Sequence, residues 1–325
     1  MEQSAVMKSK IEIARNLKGY SFPHKLSSKE ADIIIDKVKN TLSNSKYEFI
    51  LHRKNDLSEI EINALIEMEL IDDNFLESQN AALLINTDKT ICILINGLDH
   101  IKIQVVGNND IKGLYEIGNE IDDILESNLE YAFDKDLGYL TTCPVNVGTG
   151  LKITNTIHIP SIEKLKQVDD YYKIAHKIGV NFKGVYGKTK SILGSLYKIS
   201  NTIMIGRSEE NIIQSVESIS NDLSKREYES REILKNVHKI DLEDEIFRSL
   251  AILSSARVIT NSELMKCLSN VKLGIEMGYI DDVNLEKVIN FMTGKQPYLK
   301  IISAYDEEDK IERASYIRRE FSLAN

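Results

Sequence analysis

The stretch YAFDKDLGYLTTCPVNVGTGL, residues 131–151, guides the interpretation of the whole chain because it breaks every periodic pattern around it. It contains Pro144, one of only four prolines, and glycines at positions 138, 148 and 150. A segment this long without helical or strand periodicity is uncommon inside a compact domain and usually serves a function. We therefore predict a functional loop held between regular elements.

Short apolar runs on both sides of this loop predict an antiparallel sheet. They are rich in β-branched residues and separated by turn residues. The runs are Ala81–Ile85, Thr90–Ile95, Ile101–Val106, Lys152–Ile159, Asn181–Tyr186, Tyr197–Ser200 and Thr202–Ile205. Helical spacing of apolar residues predicts helices over Ala31–Asn44, Ser58–Ile71, Ile111–Leu125 and Ser161–Ile178. Ser58 and Glu61 have the spacing of a capping box. The predicted fold class is α+β, an antiparallel sheet flanked by helices.

From Ser208 onward the pattern is helical. The predicted helices are Ser208–His238, Leu242–Ala256, Thr260–Leu273, Leu285–Met292 and Glu307–Phe321. No flexible Gly-, Ser- or Pro-rich linker precedes them, so we place the domain boundary near residues 225–240, inside a continuous helix. The prediction is one α+β domain over residues 1–230 and one all-α C-terminal domain over residues 231–325.

Composition and charge exclude several classes of protein. The formal net charge of −9 argues against a nucleic-acid partner, because duplex binding depends on clustered Lys and Arg. No apolar stretch has the length of a membrane span, and the charged N-terminus does not have the pattern of a signal peptide. The three cysteines, Cys92, Cys143 and Cys267, lack the spacing of a disulfide framework or a zinc site. We expect a cytoplasmic protein with reduced thiols, no metal site of its own, and neither nucleic-acid nor membrane partners.

Generic chemical motifs are missing from the sequence. It has no Walker phosphate loop, GxGxxG, HExxH or GxSxG, and its six histidines are scattered. Five segments nevertheless resemble the ATP:guanidino phosphotransferases, and the bacterial protein arginine kinases in particular. They are SKIEIARN (9–16), INGLDHIKIQ (95–104), YAFDKDLGYLTTCPVNVGTGLK (131–152), FKGVYGKTKSILGSLYKISN (182–201) and LGIEMGYI (273–280).

The resemblance implies a guanidino-kinase catalytic fold over residues 1–230, followed by a helical dimerisation and regulatory domain over residues 231–325. It implies ATP and Mg²⁺ as cofactors and a role in stress-response protein quality control. The implied partners are a second copy or a paralogue in a dimer, the Clp machinery and a family activator protein. For the helical domain, packing on its own catalytic domain stays an alternative to dimerisation.

The positions that match the family's phosphate-binding arginines carry other residues here. They are Lys10, Glu12, Lys102, Lys152 and Lys183. An arginine fork binds phosphate bidentately, whereas lysine acts as a point charge and a glutamate repels phosphate. By a looser match, Glu69 stands where the family has a nucleotide-contacting histidine. These replacements argue against binding of ATP and Mg²⁺.

The positions implied for the guanidinium substrate have also changed. Leu98 and Lys188 stand where the family places two anchoring carboxylates, while Cys143 and Asn146 are kept. In the tail, the phosphoarginine-binding motif of the bacterial enzymes matches Asp309-Lys310-Ile311-Glu312-Arg313-Ala314. The charges of its first two residues are inverted, and only Arg313 and Ala314 are kept. This argues against phosphoarginine binding at Asp309, Lys310 and Arg313.

We interpret the chain as a pseudokinase that binds partners without transferring phosphate. Catalysis in this family is positioning plus electrostatics, and removing one electrostatic element costs roughly 10²–10³ in rate. Two alternatives stay open. One is a phosphotransferase whose four lysines bind a nucleotide or another polyanion and that acts on a non-guanidino substrate. The other is an arginine kinase of weak activity. For Asp99 and His100 we favour a turn aspartate and a satisfied histidine over a remnant of the catalytic turn.

Overall fold

The computed structural model describes residues 4–186, 192–294 and 307–321, without the side chains of His176, Tyr186 and residues 307–309. The strands are β1 (Val6–Arg15), β2 (Phe49–Arg53), β3 (Ala82–Asn86), β4 (Ile91–Ile95), β5 (Ile101–Gly107), β6 (Phe133–Asp134), β7 (Gly138–Tyr139), β8 (Leu151–His158), β9 (Val180–Tyr186) and β10 (Ile192–Asn201). The helices are α1 (Ser28–Leu42), α2 (Glu59–Glu67), α3 (Asp73–Glu77), α4 (Ile111–Glu126), α5 (Pro160–Lys164), α6 (Val168–Lys177), α7 (Glu209–Val237), α8 (Lys239–Ser255), α9 (Asn261–Glu276), α10 (Leu285–Thr293) and α11 (Glu307–Phe321).

Eight of these strands form one sheet in the order β2-β3-β4-β5-β1-β8-β10-β9, and every neighbouring pair is antiparallel. The predicted α+β class with an antiparallel sheet flanked by helices is confirmed. The N-terminal strand β1 lies in the middle of the sheet, between β5 and β8. Sequence reasoning did not assign β1 or β2 as strands, although Lys10, Ile11, Glu12 and Ile13 alternate with the period of a strand.

Helices cover the apolar face of this sheet. Ile11 and Ile13 are 0% and 2% exposed, and α4 packs against them. The approach is close because α4 has Gly118 at the contact, where a Cβ would lie 3.3 Å from Ile13 Cδ1. Burying each isoleucine contributes about 1.5–3 kcal/mol relative to leaving it exposed. This layer buries one face of the sheet, so that the alternate side chains of β1 lie on its other face.

Two helices and one strand are among the predicted elements that differ from those of the structure. The helix predicted over Ser58–Ile71 has the expected capping box of Ser58 and Glu61, but α2 ends at Glu67. The helix predicted over Ser161–Ile178 is divided into α5 and α6 near Lys166, whose φ is 58°. The strand predicted over Thr202–Ile205 is wrong. There the Thr202 N–H and hydroxyl both donate to Gly179 O, which turns the chain out of the sheet towards α7.

Helices α8 to α11 form a second hydrophobic core that includes Leu196 of β10 and Met7 of β1. The helical tail thus packs on its own sheet, and dimerisation through the tail stays a prediction. Helix α7 runs through the predicted boundary at residues 230 and 231, and the chain bends at His238 before α8. The division into residues 1–230 and 231–325 stays a prediction.

A buried network of charges joins the two parts. The Glu227 carboxylate of α7 accepts hydrogen bonds from the backbone N–H groups of Ser161 and Ile162, and from Arg231 Nε at 3.1 Å. Arg231 also contacts Glu276 of α9 at 2.9 Å. Because breaking one partner of a buried pair leaves an uncompensated charge, this network fixes how α7 and α9 meet. In the described part of the chain no helix is both long and apolar enough to span a membrane.

Candidate active site

The polar face of the sheet is produced by strand alternation. On β1, Lys8, Lys10 and Glu12 point away from the face that buries Ile11 and Ile13. The register then brings matching residues beside them. Glu12 pairs with Gln104 of β5 on one side and with Lys152 of β8 on the other. Residues that are far apart in sequence thereby share one surface.

The same alternation continues to both sides of these three strands. Lys102 of β5 lies opposite Ala14 of β1. On the other side, Lys198 of β10 lies opposite Lys183 of β9. Like charges directly opposite each other on antiparallel strands repel, so this pair needs a nearby negative charge to offset the repulsion.

This face is the floor of a cavity of about 380 Å³. Eight residues singled out in the sequence line it: Lys10, Glu12, Glu69, Leu98, Lys102, Asn146, Lys152 and Lys183. Lys198, Asp72 and Ser200 also line it, and sequence reasoning did not select them. Lys198 lies inside the predicted strand Tyr197–Ser200, but no motif marked it. Had β1 been assigned as a strand, its alternation would have placed Lys8 on the same face as Lys10 and Glu12.

Other predicted residues lie elsewhere. Cys143 is half-buried and does not line the cavity, and its carbonyl oxygen accepts a hydrogen bond from Thr141 Oγ1 at 2.8 Å. Lys188 and the side chain of Asp309 lie outside the described residues. Lys310 and Arg313 are on α11 in the helical tail, where Arg313 is 2% exposed and donates to Ile259 O at 2.9 Å. The structure therefore does not bring the tail motif to the cavity.

A carboxylate lies among the lysines of the cavity floor. Glu12 is 15% exposed, and its Oε1 is 3.2 Å from Lys10 Nζ and 4.0 Å from Lys102 Nζ. Burial raises the pKa of Glu12, but Lys10, Lys102 and Lys152 outweigh burial and hold the pKa at about 2. Glu12 is thus a permanent negative charge at neutral pH.

A second set of acidic contacts comes from the connection between α2 and α3. Lys102 Nζ forms a close ion pair with Asp72 Oδ2. Lys198 and Lys8 both contact the Glu69 carboxylate, at 2.5 and 3.5 Å. Burial raises the pKa of Glu69, but Lys8 and Lys198 outweigh it and hold the pKa at about 2. Of the lysines at the phosphate positions, Lys10 and Lys102 therefore contact the protein's own acidic groups.

The loop at residues 131–151 is fixed to the sheet by a buried arginine. The Arg15 guanidinium donates to Asp122 Oδ2 at 2.6 and 3.0 Å and to Thr149 O at 2.9 Å. It also lies over the Tyr139 ring, 3.5 Å from the centroid. Gly150 (φ 65°) approaches Ala14 so closely that a Cβ would lie 2.6 Å from the Ala14 carbonyl oxygen. The loop is thus rigidly placed beside the cavity.

Asp99 holds the same loop, whereas His100 holds the segment that follows β1. The Asp99 carboxylate accepts from Asn16 Nδ2 at 2.6 Å and from the Thr142 N–H at 2.7 Å. His100 Nδ1 accepts from the Leu17 N–H, so its Nε2 donates to Ser21 O at 2.8 Å. The prediction of a satisfied histidine is confirmed, and Asp99 holds the loop rather than marking only a turn.

The residues present fit a magnesium–nucleotide complex poorly. A triphosphate needs unpaired cations, preferably arginine forks, around its oxygens. Here Lys10 and Lys102 are paired with Glu12 and Asp72, and Glu12 would repel the phosphates. Lys152 and Lys183 are exposed at the cavity and make no ion pair within residues 4–186, 192–294 and 307–321.

Comparison with known proteins identifies close similarity over almost the whole chain. Residues 31–230 match the family model of the ATP:guanido phosphotransferase C-terminal catalytic domain, and residues 239–325 match that of the protein-arginine kinase McsB C-terminal domain. A protein-arginine kinase of Clostridium kluyveri is 37% identical over 98% of this chain and 95% of its own length. That of Bacillus subtilis is 33% identical over 99% of this chain and 91% of its own length.

Solved structures show the same fold at lower identity. Lombricine kinase matches with a TM-score of 0.60 and 20% identity, over 69% of this chain and 66% of that one. The duplicated taurocyamine kinase of Schistosoma mansoni matches with a TM-score of 0.63 and 20% identity, over 77% of this chain and 38% of that one. The predicted guanidino-kinase fold with a helical C-terminal region is confirmed.

Proposed function

The chain belongs to the ATP:guanido phosphotransferase family, among its protein-arginine kinases, and on that premise we propose that it is a pseudokinase. It keeps the fold of these enzymes and has lost the transfer of phosphate to arginine. Its role is that of a scaffold or regulator in protein quality control.

The observation that carries the proposal is the charge of Glu12. It lies on the cavity floor at a position where the family binds phosphate, and it stays ionised at neutral pH with a pKa of about 2. At an effective dielectric constant of 20, two unit charges 4 Å apart interact by about 4 kcal/mol. The carboxylate therefore repels a nucleotide phosphate at short range, and it also forms an ion pair with Lys10.

The guanidinium side of the site supports the same proposal. Leu98 is a half-buried leucine on the cavity wall, at a position where the family has a carboxylate. An apolar side chain can neither pair with a guanidinium nor polarise it. Without that anchor, the effective concentration gained by holding both reactants in line is lost.

A direct assay of phosphoarginine formation tests the proposal. The chain is incubated with Mg-ATP and a protein substrate such as casein, with the Bacillus subtilis protein-arginine kinase as positive control and Lys102→Glu as the matched variant. We expect the wild type to form no more phosphoarginine than Lys102→Glu does. Phosphoarginine that the wild type forms and Lys102→Glu does not would overturn the proposal.

A second candidate function is binding, or transfer, of a different anionic substrate. Two exposed lysines, Lys152 and Lys183, favour it, since they face the cavity and no carboxylate in the described part of the chain lies within ion-pair distance. Calorimetric titration of ATP, ADP and inorganic polyphosphate discriminates the two functions. Binding that disappears in Lys183→Gln supports this candidate, and a flat response to all three ligands rules it out.

Partners and location complete the proposal. We infer a cytoplasmic protein that forms a homodimer, or a heterodimer with an active paralogue, and that acts with Clp-type partners or with an activator protein. The family membership supports this assignment. Light scattering of the purified chain, alone and mixed with a paralogue, measures the assembly directly. A monomer under both conditions would contradict the dimer.

A further inference from the structure

The connection between α2 and α3, residues 68–72, lies across the polar face of the sheet. We name it the strap. It closes one side of the cavity through Glu69 and Asp72. Four lysines of three different strands reach it from the floor: Lys8, Lys10, Lys102 and Lys198.

Each lysine has its own acceptor on the strap. Lys8 Nζ donates to Met68 O at 2.9 Å, and Lys10 Nζ donates to Glu69 O at 2.8 Å. The Glu69 carboxylate accepts a hydrogen bond from Lys198 Nζ, and the Asp72 carboxylate accepts one from Lys102 Nζ. Two backbone carbonyls and two carboxylates thus surround the lysines in the way that the oxygens of a bound polyanion would.

The strap is held in this position from its other side as well. Leu70 and Ile71 are 1% and 4% exposed and belong to a hydrophobic cluster with Leu83 and Leu94 of the sheet. Glu69 has a φ of 60°, a left-handed conformation that is uncommon for a residue other than glycine. A strained residue persists where its surroundings over-determine it, and such residues cluster at ligand clamps and switches.

We infer that the strap competes with anions for the lysines that it contacts, because its carboxylate and carbonyl oxygens already accept from them, including Lys10 and Lys102 at the phosphate positions. An anion that engages Lys10, Lys102 and Lys198 must displace Glu69 and Asp72. The inference rests on the proposed function, since it concerns the same cavity. It adds that the cavity is kept closed to anions by residues 68–72 of the chain itself, in addition to the changes at the phosphate positions.

Removing the strap's charge tests the inference. Tripolyphosphate is titrated by calorimetry into the wild type, Glu69→Gln and Asp72→Asn. Each substitution keeps the shape of the side chain and frees a lysine. We expect each variant to bind tripolyphosphate about tenfold more tightly than the wild type, the range typical of coupling between two competing contacts. Asp73→Asn is the matched control, because Asp73 is exposed on the first turn of α3 and changes the net charge by the same amount.

The outcomes separate this inference from the proposed function. A gain in Glu69→Gln or Asp72→Asn that Asp73→Asn does not share supports the strap. Affinities within about twofold of the wild type in both variants overturn it, as does an equal gain in the control. Thermal melting verifies that each variant is folded, and Asp72→Asn carries the test if Glu69→Gln is not. None of these results depends on phosphoarginine formation, which alone decides the proposed function.

Discussion

Replacing Glu12 by glutamine should remove a pH-dependent part of the protein's stability. Glu12 is ion-paired with Lys10 on the cavity floor, and its pKa is about 2 against an ordinary value of 4.5. At about 1.4 kcal/mol per pKa unit, the difference corresponds to about 3 kcal/mol of stability at neutral pH. The side chain is 15% exposed, so solvent screening removes little of this contribution.

The sign follows from the direction of the shift. A carboxyl group whose pKa is lowered by folding stabilises the native state above its unfolded pKa. That contribution is lost as the pH falls through the range between the two values. The difference in the free energy of unfolding between the wild type and Glu12→Gln should therefore shrink by about 2 kcal/mol between about pH 7 and about pH 3.

Urea denaturation followed by far-UV circular dichroism measures this difference at each pH. Glu77→Gln is the control, because Glu77 is an exposed glutamate of α3 whose replacement changes the net charge equally. A difference between wild type and Glu12→Gln that stays constant over the whole pH range would refute the reasoning. It would mean that the lysines do not hold Glu12 ionised.

Three further predictions concern the scaffold. Gly19→Ala should cost about 1 kcal/mol for its left-handed backbone alone. Gly150→Ala should lower the melting temperature distinctly more, because its Cβ would meet Ala14 O at 2.6 Å whereas nothing lies within 4 Å at Gly19. Arg15→Met should lower the free energy of unfolding by about 3–5 kcal/mol, because it leaves Asp122 buried without its cation. Urea denaturation measures this loss, and adding Asp122→Leu should restore most of it. Ser58→Ala should cost about 1 kcal/mol in the same assay because it removes the cap of α2, and no loss would contradict the capping box.

Local patterns in the sequence predicted most elements well. Helices α4, α7, α10 and α11 begin and end within a residue or two of the predicted limits, because their amphipathic spacing and caps are local properties. Strand β1 was not predicted, because its lysines and its glutamate make the segment polar. A strand with only one buried face can carry such residues, and only the docking of α4 shows which face that is.

The residues of the candidate site were predictable only in part, because the sequence shows the motifs but not how the sheet brings them together. They were chosen through resemblance, which implies that Lys10, Lys102, Lys152 and Lys183 share one site, but the separate motifs do not show how the chain brings them together. The antiparallel register does so, since Glu12 faces Gln104 and Lys152 across two ladders. Asp72 belongs to no motif, and its contact with Lys102 depends on how α2 and α3 pack on the sheet.

The sequence alone determined which charges the chain carries at the matching positions, the α+β class, the helical tail and the family resemblance. Only the tertiary structure decided what those charges do. Ion pairs between Glu69 and Lys198, 129 residues apart, form because strand register and the burial of Leu70 and Ile71 place them together. Such distances are set by the whole fold, since no local propensity links segments that far apart in the chain. The opposite charges at the site therefore pair with each other, and two of the four lysines at the phosphate positions, Lys10 and Lys102, contact the protein's own carboxylates.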